Sequence, residues 1–415
     1  YKGRGDYKGR GDYKGRGDYK GRGDHKGRPY YNDGMAHVAL NALLLDGRAS
    51  YRSAGIHQYI LQTLTALAAE PGDFTYTAFA QPGAAAVPGL SVSPVATRGR
   101  WGRILWEQFA QPAALGRLDP PVDLVHGLAF SLPWLSRAPG VVTVYDLSFI
   151  KLPDRFPAAQ RLYLSTITRL SCRRARRVIA ISEATRRDVG DVFGIPMSRV
   201  DLAYPGVDAR FRPLPAPAVA AFRVHQGLPE RFLLYLGTLE PRKNLPALVQ
   251  AFARIRADHP DLHLVLAGAR GWWYHSLLRM ISDLNLGDVV HLPGFVPAED
   301  LPLWYNAAAA FAYPSSFEGF GLPVAEALAC GRPVVTSDSS SLPEAGGPVA
   351  LPVPVGDVDG LAAALLRALS RDEAERARAL GPGHAAGFTW EAAATAMRRS
   401  YRSALTPERR AARGA

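Results

Sequence analysis

A repeated alternation of short apolar runs with amphipathic segments is the feature that most constrains how this 415-residue chain folds. Apolar runs such as Gly140–Tyr145 and Leu262–Ala267 end at Asp146 and Gly268, and segments with apolar residues at helical spacing lie between such runs. Strands that alternate with helices form parallel βαβ units, because a parallel strand needs a crossover connection. The pattern therefore predicts an α/β protein with helices on both faces of its sheets.

The alternation occurs twice, on either side of the proline-rich stretch Pro213–Pro217. We therefore predict two Rossmann-like, doubly wound α/β domains, residues 35–213 and 214–387, that face each other across a cleft. The last helix, Trp390–Leu405, belongs to a segment of residues 388–415 that we expect to pack back on the first domain. The predicted strands are His37–Leu45, Val122–Val125, Gly140–Tyr145, Val178–Ile181, Phe232–Leu236, Leu262–Ala267, Val289–Leu292, Ala308–Tyr313 and Pro333–Thr336.

Residues 1–34 do not follow this alternation. Four copies of Tyr-Lys-Gly-Arg-Gly-Asp run from Tyr1 to Asp24, and a hexamer whose only apolar residue is tyrosine cannot bury a core. We interpret residues 1–34 as an artificial, disordered leader and Met35 as the natural start; the alternative is an adhesive Arg-Gly-Asp ligand. The leader supplies +5 of the net charge of +12, so the remaining +7 does not by itself require a nucleic-acid partner.

Composition excludes several classes of protein. Apolar residues make up 47% and charged residues 21%, which is typical of a globular chain and not of a disordered one. Cys172 and Cys330 are the only cysteines, so neither a disulfide framework nor a four-cysteine zinc site is expected. Because no run of about 18 apolar residues occurs, we expect no transmembrane helix and a cytoplasmic protein.

The densest motif is the segment Phe317–Glu326, which follows a predicted strand and opens a predicted helix. Gly319 and Gly321 let the backbone approach a ligand closely, and the N–H groups at the helix start favour a phosphate. Glu326 could accept hydrogen bonds from a vicinal diol, and Glu318 lies nearer the reacting end. The alternative is that Glu326 only complements the helix dipole and that Glu318 is a solvated loop residue.

A second motif, Gly237–Asn244, also follows a predicted strand. Its adjacent cations Arg242 and Lys243 can neutralise a diphosphate leaving group, which is a role that other enzymes give to a divalent metal. Lys243 is notable because Lys151 is the only other lysine after residue 34. The alternative interpretation is a solvated basic turn.

These motifs resemble those of the retaining glycosyltransferases of family four, which have the GT-B architecture, and especially bacterial members similar to mannosyltransferases. The resemblance spans Met35 to about Leu405. It rests on the Glu-x7-Glu pair Glu318 and Glu326 and on the segments Gly237–Asn244, Asp146–Phe149, Ile181–Thr185, Pro205–Asp208 and Glu318–Pro323.

The resemblance implies a role for each motif residue. Glu326 binds the ribose hydroxyls of a nucleotide sugar, and Glu318 contacts the transferred sugar. His126 faces the reacting sugar, although a hydrogen-bonded histidine at a strand end is the alternative, and Asp146 lies on the acceptor side. The other implied contacts are with the diphosphate (Arg242, Lys243, Gly237, Gly55), with the sugar and phosphate through the loop (Gly319, Phe320, Gly321, Leu322), and with the base (Gly294, Phe295, Val296).

The implied activity is transfer of mannose from GDP-mannose to a glycan or lipid-linked acceptor in cell-envelope polysaccharide assembly, with no metal and no other cofactor. Because the sequence shows no clear nucleophile, retention is expected through attack on the face that the leaving group vacates. The alternatives are a transferase that uses UDP-glucose or UDP-N-acetylglucosamine and a non-catalytic protein that binds nucleotide sugars.

Arginines are concentrated between residues 169 and 187, and no nucleic-acid partner is expected because aromatic residues are not interleaved with them. Three of them are predicted to share a helical face, and Leu162, Thr166 and Leu170 take another. Such a face suits anionic headgroups on the inner side of the plasma membrane, and a solvated face is the alternative. The predicted basic face consists of Arg169, Arg173 and Arg176. The whole stretch comprises Arg169, Arg173, Arg174, Arg176, Arg177, Arg186 and Arg187.

Overall fold

A computed structural model describes residues 35–45, 54–97, 99–271 and 274–406. The repeat-containing segment, residues 1–34, lies outside these ranges, so its interpretation as a leader stays a prediction. Within them, the chain forms two parallel sheets with helices on both faces, which confirms the predicted α/β class.

The first sheet has seven strands in the order β3-β2-β1-β4-β5-β6-β7, and every neighbouring pair is parallel. Its interior strand β1 is buried along its whole length, as expected for a strand covered on both faces. The strand predicted to run to Leu45 ends at Asn41, and the strands at 74–80, 91–94 and 200–202 were not predicted. The seven strands are β1 Ala36–Asn41, β2 Phe74–Ala80, β3 Ser91–Pro94, β4 Leu124–Gly127, β5 Gly140–Val144, β6 Arg177–Ala180 and β7 Val200–Leu202.

The helices of this domain connect the strands on both faces of the sheet. One of them is interrupted by a π-helical turn, Trp106–Ala110, in which the Gln111 N–H donates to the Trp106 carbonyl. Ser182 precedes helix α6, and its hydroxyl accepts a hydrogen bond from the Thr185 N–H and so caps the helix. The helices are α1 Ala54–Ala69, α2 Gly99–Leu105, α3 Gln111–Leu115, α4 Ser148–Lys151, α5 Ala158–Arg174 and α6 Glu183–Phe193.

The second sheet has six parallel strands in the order β10-β9-β8-β11-β12-β13. Counted from its own first strand, this is the order 3-2-1-4-5-6 of a doubly wound nucleotide-binding fold. The strands are β8 Arg231–Leu236, β9 Leu262–Ala267, β10 Val290–Gly294, β11 Ala310–Tyr313, β12 Val334–Ser337 and β13 Leu351–Val353. The helices are α7 Ala216–His225, α8 Leu245–Arg256, α9 Tyr274–Asp283, α10 Leu301–Ala307, α11 Leu322–Ala329, α12 Leu342–Gly346, α13 Val358–Ala368, α14 Arg371–Ala385 and α15 Trp390–Leu405.

Helix α15 packs on the first domain, although it follows the second in sequence. The Tyr401 ring is fully buried and packs edge-on against Phe74, and the Ser400 hydroxyl donates to Asp201 at 2.7 Å. The Arg176 guanidinium donates to the Ala404 carbonyl at 2.7 Å. The chain therefore crosses between the domains twice, once near residue 213 and once near Phe388.

The two domains also touch along a seam near the carboxyl ends of their strands. The Glu344 carboxylate, on α12, accepts hydrogen bonds from the Glu183 and Ala184 N–H groups at 2.7 and 2.8 Å, so that a side chain of the second domain caps helix α6 of the first. The Tyr204 hydroxyl donates to the same carboxylate at 2.8 Å. These contacts fix the facing orientation of the two domains.

No helix among the described residues is both long enough and apolar enough to cross a bilayer.

Candidate functional site

The residues of interest lie where the strand order of each sheet reverses. In the second sheet the neighbours at this switch point are β8 and β11, and in the first sheet they are β1 and β4. Loops that leave two such strands diverge to opposite faces of the sheet and open a crevice between them, which is where ligands bind in folds of this kind. The motif Gly237–Asn244 follows β8 and the motif Phe317–Glu326 follows β11.

Glu318 joins the two loops of the second domain. One oxygen of its carboxylate accepts hydrogen bonds from Lys243 Nζ at 2.5 Å and Ser315 Oγ at 2.6 Å, and the other accepts one from Arg242 Nη1 at 2.9 Å. Lys243 Nζ also donates to the Tyr313 hydroxyl at 2.6 Å. The structure thus brings together three predicted site residues, Glu318, Arg242 and Lys243, in one ion-paired cluster.

Burial and charge act against each other in this cluster. Burial alone would raise the pKa of Glu318, but the charges of Arg242 and Lys243 outweigh it and lower that pKa to about 2. Burial together with the neighbouring Arg242 charge lowers the pKa of Lys243 to about 8. At neutral pH the cluster therefore consists of a carboxylate and two cations, with a net positive charge that can attract an anion.

The backbone conformation of the first loop explains how two adjacent cations point the same way. A 3₁₀ turn, Pro241–Lys243, follows the strand, and Asn244 then adopts φ +53° before α8 begins. At Gly237, φ is +150°, and an ideal Cβ would stand 2.8 Å from the Tyr235 hydroxyl. Only glycine fits this position without a shift, because of both its positive φ and the nearby Tyr235 side chain.

The glycine loop after β11 contacts the other domain. A Cβ on Gly319 would lie 2.3 Å from the Tyr145 carbonyl oxygen, so this glycine lets the second domain reach the end of β5 in the first. Gly321 has φ +105° and precedes α11, which begins at Leu322. The Phe320 ring is buried 5.0 Å from the Phe388 ring, so only its backbone is available to a ligand.

Glu326 lies in the second turn of α11 and makes no contact with the ion-paired cluster among the hydrogen bonds of the described residues. Its carboxylate accepts a hydrogen bond from the Tyr305 hydroxyl at 2.8 Å. Burial raises its pKa to about 7, even though that hydrogen bond lowers it. The predicted base-contacting residues end β10: Gly294 has φ +86°, Phe295 is 58% exposed, and Val296 is buried.

The expectation that His126 faces the reacting sugar is wrong for this structure. The His126 side chain is fully buried, with Nδ1 2.7 Å from the Tyr401 hydroxyl and Nε2 2.8 Å from the Thr143 hydroxyl. Burial lowers its pKa to about 3, so the ring is neutral at physiological pH. His126 thus matches the alternative, a hydrogen-bonded histidine within a strand, and it ties α15 to the first sheet.

A cavity of 420 Å³ opens at the switch point of the first domain and extends to the second. Asp146, predicted on the acceptor side, and Arg242, from the second domain, both line it. Asp146 Oδ1 accepts hydrogen bonds from the Ser148 N–H and hydroxyl at 2.8 and 2.6 Å. Gly55 lies in the first turn of α1, where an added Cβ would meet nothing within 4 Å.

Sequence reasoning missed several residues of this region. Glu107 and Arg103, from the segment around the π-helical turn, line the cavity. Ser315 hydrogen-bonds the Glu318 carboxylate, and Glu344 joins the domains. The serine could have been suspected, since Ser315 and Ser316 lie between the end of β11 and Glu318.

Most of the arginine-rich stretch has intramolecular partners. Arg176 lies beyond the end of α5 and donates to Ala404, so it does not share the predicted basic face. Arg177 pairs with Asp201, and Arg174 donates to the Ser136 carbonyl. The exposed stripe of α5 instead combines both predicted faces, because it contains Leu162, Thr166, Arg169, Leu170 and Arg173.

No group of three or more histidine, cysteine, aspartate or glutamate side chains that could hold a metal occurs in the described part of the chain. The Asp-x-Asp motif at Asp357 has a structural role, because the Asp357 carboxylate accepts a hydrogen bond from the Gly360 N–H at 2.8 Å and caps α13.

Comparison with known proteins identifies both domains. The family described as "Glycosyltransferase Family 4" matches residues 53–211, and the family described as "Glycosyl transferases group 1" matches residues 221–382. An O-antigen chain mannosyltransferase B of Escherichia coli is 34% identical over 286 residues, which cover 67% of this chain and 74% of that protein.

Solved structures share the fold. Sucrose-phosphate synthase from Thermosynechococcus elongatus superposes with a TM-score of 0.71 at 25% identity, over 89% of this chain and 98% of that one. HepE of Anabaena, in complex with UDP and glucose, gives a TM-score of 0.68 at 19% identity, over 89% of this chain and all of that one. The predicted fold class and family are confirmed: the chain belongs to the family-four type of glycosyltransferases and has their GT-B fold of two facing Rossmann-like domains.

Proposed function

We propose that this glycosyltransferase transfers mannose from GDP-mannose, with retention of configuration and without a metal, to a glycan or lipid-linked acceptor in cell-envelope polysaccharide assembly. The sugar and the process are suggested by the O-antigen chain mannosyltransferase that is 34% identical. The observation that carries the chemistry is the adjacent pair of cations, the half-buried Arg242 and the buried Lys243, near the strand ends of the switch point.

The two cations stabilise the leaving group. As the bond between the sugar and the nucleoside diphosphate breaks, negative charge grows on the phosphate oxygen, and preorganised cations lower the barrier most where water is excluded. In this structure Glu318 neutralises part of that charge and holds both side chains in place. When the diphosphate binds, its oxygens compete with the Glu318 carboxylate for the N–H groups of Arg242 and Lys243. The Glu326 carboxylate accepts hydrogen bonds from the ribose hydroxyls, and the backbone from Gly294 to Val296 contacts the base.

The state of Glu318 bears on the stereochemical course. A carboxylate that accepts hydrogen bonds from a lysine, an arginine and a serine has a pKa of about 2 and is a weak nucleophile. This favours attack by the acceptor on the face that the diphosphate leaves, over a covalent intermediate on Glu318. The acceptor approaches from the side of Asp146, which lines the cavity shared by the two domains.

Donor choice is tested by thermal-shift measurements with GDP-mannose, UDP-glucose, UDP-N-acetylglucosamine and ADP-glucose, followed by transfer assays with and without EDTA. A bound ligand raises the melting temperature according to its affinity. We expect the largest shift with GDP-mannose and turnover that persists in EDTA. A preference for a UDP-sugar would establish the alternative donor, binding without product would establish a non-catalytic protein, and loss of turnover in EDTA would contradict metal independence.

We also propose peripheral contact with an anionic membrane through the exposed stripe of α5. Its leucines, Leu162 and Leu170, are 70% and 38% exposed, and Arg169 and Arg173 lie beside them. Such a mixture of apolar and basic side chains suits a lipid headgroup surface. Vesicle flotation with phosphatidylglycerol should be stronger than with phosphatidylcholine and should weaken in the double variant Arg169→Ser, Arg173→Ser. Equal flotation of both proteins would contradict this contact.

A further inference from the structure

The segment that ends β12 and leads into the short helix α12 is rich in serine. Residues 337–341 read Ser-Asp-Ser-Ser-Ser, and we call them the serine segment. Its Ser337 and Ser341 side chains are almost fully buried, although each carries a hydroxyl group. Because a buried hydroxyl needs a hydrogen-bond partner, the identity of the partners indicates what the segment holds in place.

All four hydroxyls of the serine segment contact the backbone of the loop that carries Glu318. Ser340 Oγ accepts a hydrogen bond from the Glu318 N–H at 2.8 Å, and Ser341 Oγ donates one to the Glu318 carbonyl at 2.9 Å. The other two hydroxyls donate to carbonyls earlier in the same loop, namely Ser337 to Ser315 and Ser339 to Ser316. Consecutive serines thus bind both polar backbone groups of one residue, Glu318.

The backbone of Ser340 supports a specific role for its hydroxyl. Its φ is +52°, in the left-handed region that glycine adopts more easily than any residue with a side chain. A glycine here would suit the backbone but would remove the hydroxyl that accepts the Glu318 N–H. The chain therefore has a side chain at a position where the backbone favours none, and that side chain binds Glu318.

The Glu318 loop is in turn bound to the loop that carries the two cations. The Arg242 carbonyl accepts hydrogen bonds from the Ser316 N–H at 2.8 Å and from the Ser316 hydroxyl at 2.9 Å. The Glu318 carboxylate reaches Lys243 Nζ at 2.5 Å and Arg242 Nη1 at 2.9 Å. Because these distances are short, a shift of the Glu318 backbone would separate its carboxylate from one or both cations.

We propose that Ser340 and Ser341 are positioning residues, which hold the backbone of Glu318 so that its carboxylate remains between the two cations. The consequence for catalysis rests on the proposed function, in which these cations stabilise the departing diphosphate. A displacement of about 1 Å at a catalytic site costs about 10²-fold in rate. Loss of one serine hydroxyl, with the other still bound, should therefore lower kcat about tenfold.

The ionisation of Lys243 reports the position of Glu318 without any substrate. Burial, followed by the charge of Arg242, lowers the pKa of Lys243 to about 8, and the charge and hydrogen bond of Glu318 oppose this shift. Glu240 and Tyr313 are the other titratable groups that face the ammonium group, and no hydroxyl of the serine segment binds either side chain among the described residues. If Glu318 moves away, the Lys243 pKa should therefore fall further.

The test uses Ser340→Gly and Ser341→Ala, with Ser370→Ala as the matched control. Ser340→Gly removes the hydroxyl and suits the positive φ, so this variant should fold. Ser370 caps α14, where its hydroxyl accepts the Glu373 N–H at 3.2 Å, so the control loses the same kind of hydrogen bond outside the site. NMR titration of protein labelled with ¹³C at lysine Cε gives the Lys243 pKa, and Lys243→Arg assigns the signal. Rates are measured against pH with GDP-mannose as donor.

We expect both serine variants to lower the Lys243 pKa, to move the alkaline limb of the kcat–pH profile to lower pH and to lower kcat about tenfold. Ser370→Ala should lower the melting temperature but keep the parental Lys243 pKa and kcat. A parental Lys243 pKa in both serine variants would overturn the inference, whatever their activity. If the parent protein neither binds GDP nor transfers mannose, the proposed function fails, and the NMR titration still decides whether the serines position Glu318.

Discussion

The two switch points of this protein arise from the same strand order but carry opposite kinds of site. In the second domain, Lys243, Arg242 and Glu318 satisfy one another at 2.5 to 2.9 Å. In the first domain, Glu107 and Arg103 face a cavity and stand 3.7 Å apart. Topology therefore determines where a ligand can bind, and the side chains determine which ligand.

The contrast has an electrostatic reason. A diphosphate carries charge, and a cluster that already holds two cations in place needs little reorganisation when that charge arrives. A neutral sugar offers only hydroxyls and C–H faces, so its site requires open volume lined by polar and aromatic side chains. The following predictions test this difference between a charge-stabilised site and an open one.

The largest effect is expected for Lys243→Ala, because Lys243 belongs to the charge-stabilised site. Removing one preorganised donor from such a site lowers kcat by about 10²–10³-fold. Arg242 and Ser315 still hydrogen-bond Glu318 in the variant, so the melting temperature should change little by comparison.

The matched control is Lys151→Ala, which removes an exposed lysine that pairs with Asp188 at 2.7 Å. Surface ion pairs contribute about 0–1 kcal/mol, so this variant should keep full activity. Equal activity of the two variants would show that Lys243 does not bind the diphosphate.

A smaller effect is expected from pH at Glu326, whose pKa is raised to about 7. An ionised carboxylate accepts stronger hydrogen bonds from ribose hydroxyls than a protonated one, by about 1 kcal/mol. The affinity for GDP should therefore fall about fivefold as the pH decreases from 8 to 6, a change measurable by isothermal titration calorimetry. Glu326→Gln should abolish this dependence, and a variant with the parental pH profile would contradict the ribose contact.

The same raised pKa predicts a change in stability. The pKa of Glu326 in the folded protein, about 7, lies above the value of 4.5 for a free glutamate. Between pH 4.5 and 7 the folded state therefore binds a proton that the unfolded state has lost. The contribution of Glu326 to the free energy of unfolding is thus lost as the pH rises through 7. The melting temperature of Glu326→Gln relative to the parent should therefore increase from pH 5 to pH 8. A constant difference would show that Glu326 does not titrate in this range.

The smallest effect on activity is expected at His126, which lies in the first domain but outside its cavity. His126→Leu leaves the Tyr401 and Thr143 hydroxyls without their partner, which costs about 1–3 kcal/mol of unfolding free energy. Chemical denaturation should show this loss, while kcat at low temperature stays within about twofold of the parent value. If kcat of the folded variant fell by more than about twofold, His126 would have to contact the substrate in the cleft.

Much of the second domain could be predicted from sequence because its signals are local. Glu318, Arg242 and Lys243 lie in loops that follow strand-like runs, and parallel strands bring their carboxyl ends to one edge of the sheet. Close approach of backbone was expected at Gly319, where an added Cβ would lie 2.3 Å from the Tyr145 carbonyl oxygen, although the neighbour there is the other domain and not a ligand.

The first domain was harder to predict because its decisive contacts join distant parts of the chain or invert the usual pattern. No periodicity shows that the His126 ring points to Tyr401, which lies 275 positions away, and not into the cleft. The segment containing Glu107 exposes Leu105 and Phe109 and buries Gln111, so a hydrophobicity pattern assigns its faces the wrong way round.

The central claim is that a nucleoside diphosphate binds at the cationic switch point of the second domain, held by side chains and not by a metal. A crystal structure of the protein with GDP, grown with magnesium present, tests it most directly. The account predicts phosphate oxygens within hydrogen-bonding distance of Arg242 and Lys243, with the ribose at Glu326. A diphosphate located elsewhere, or one joined to the protein through a magnesium ion, would contradict it.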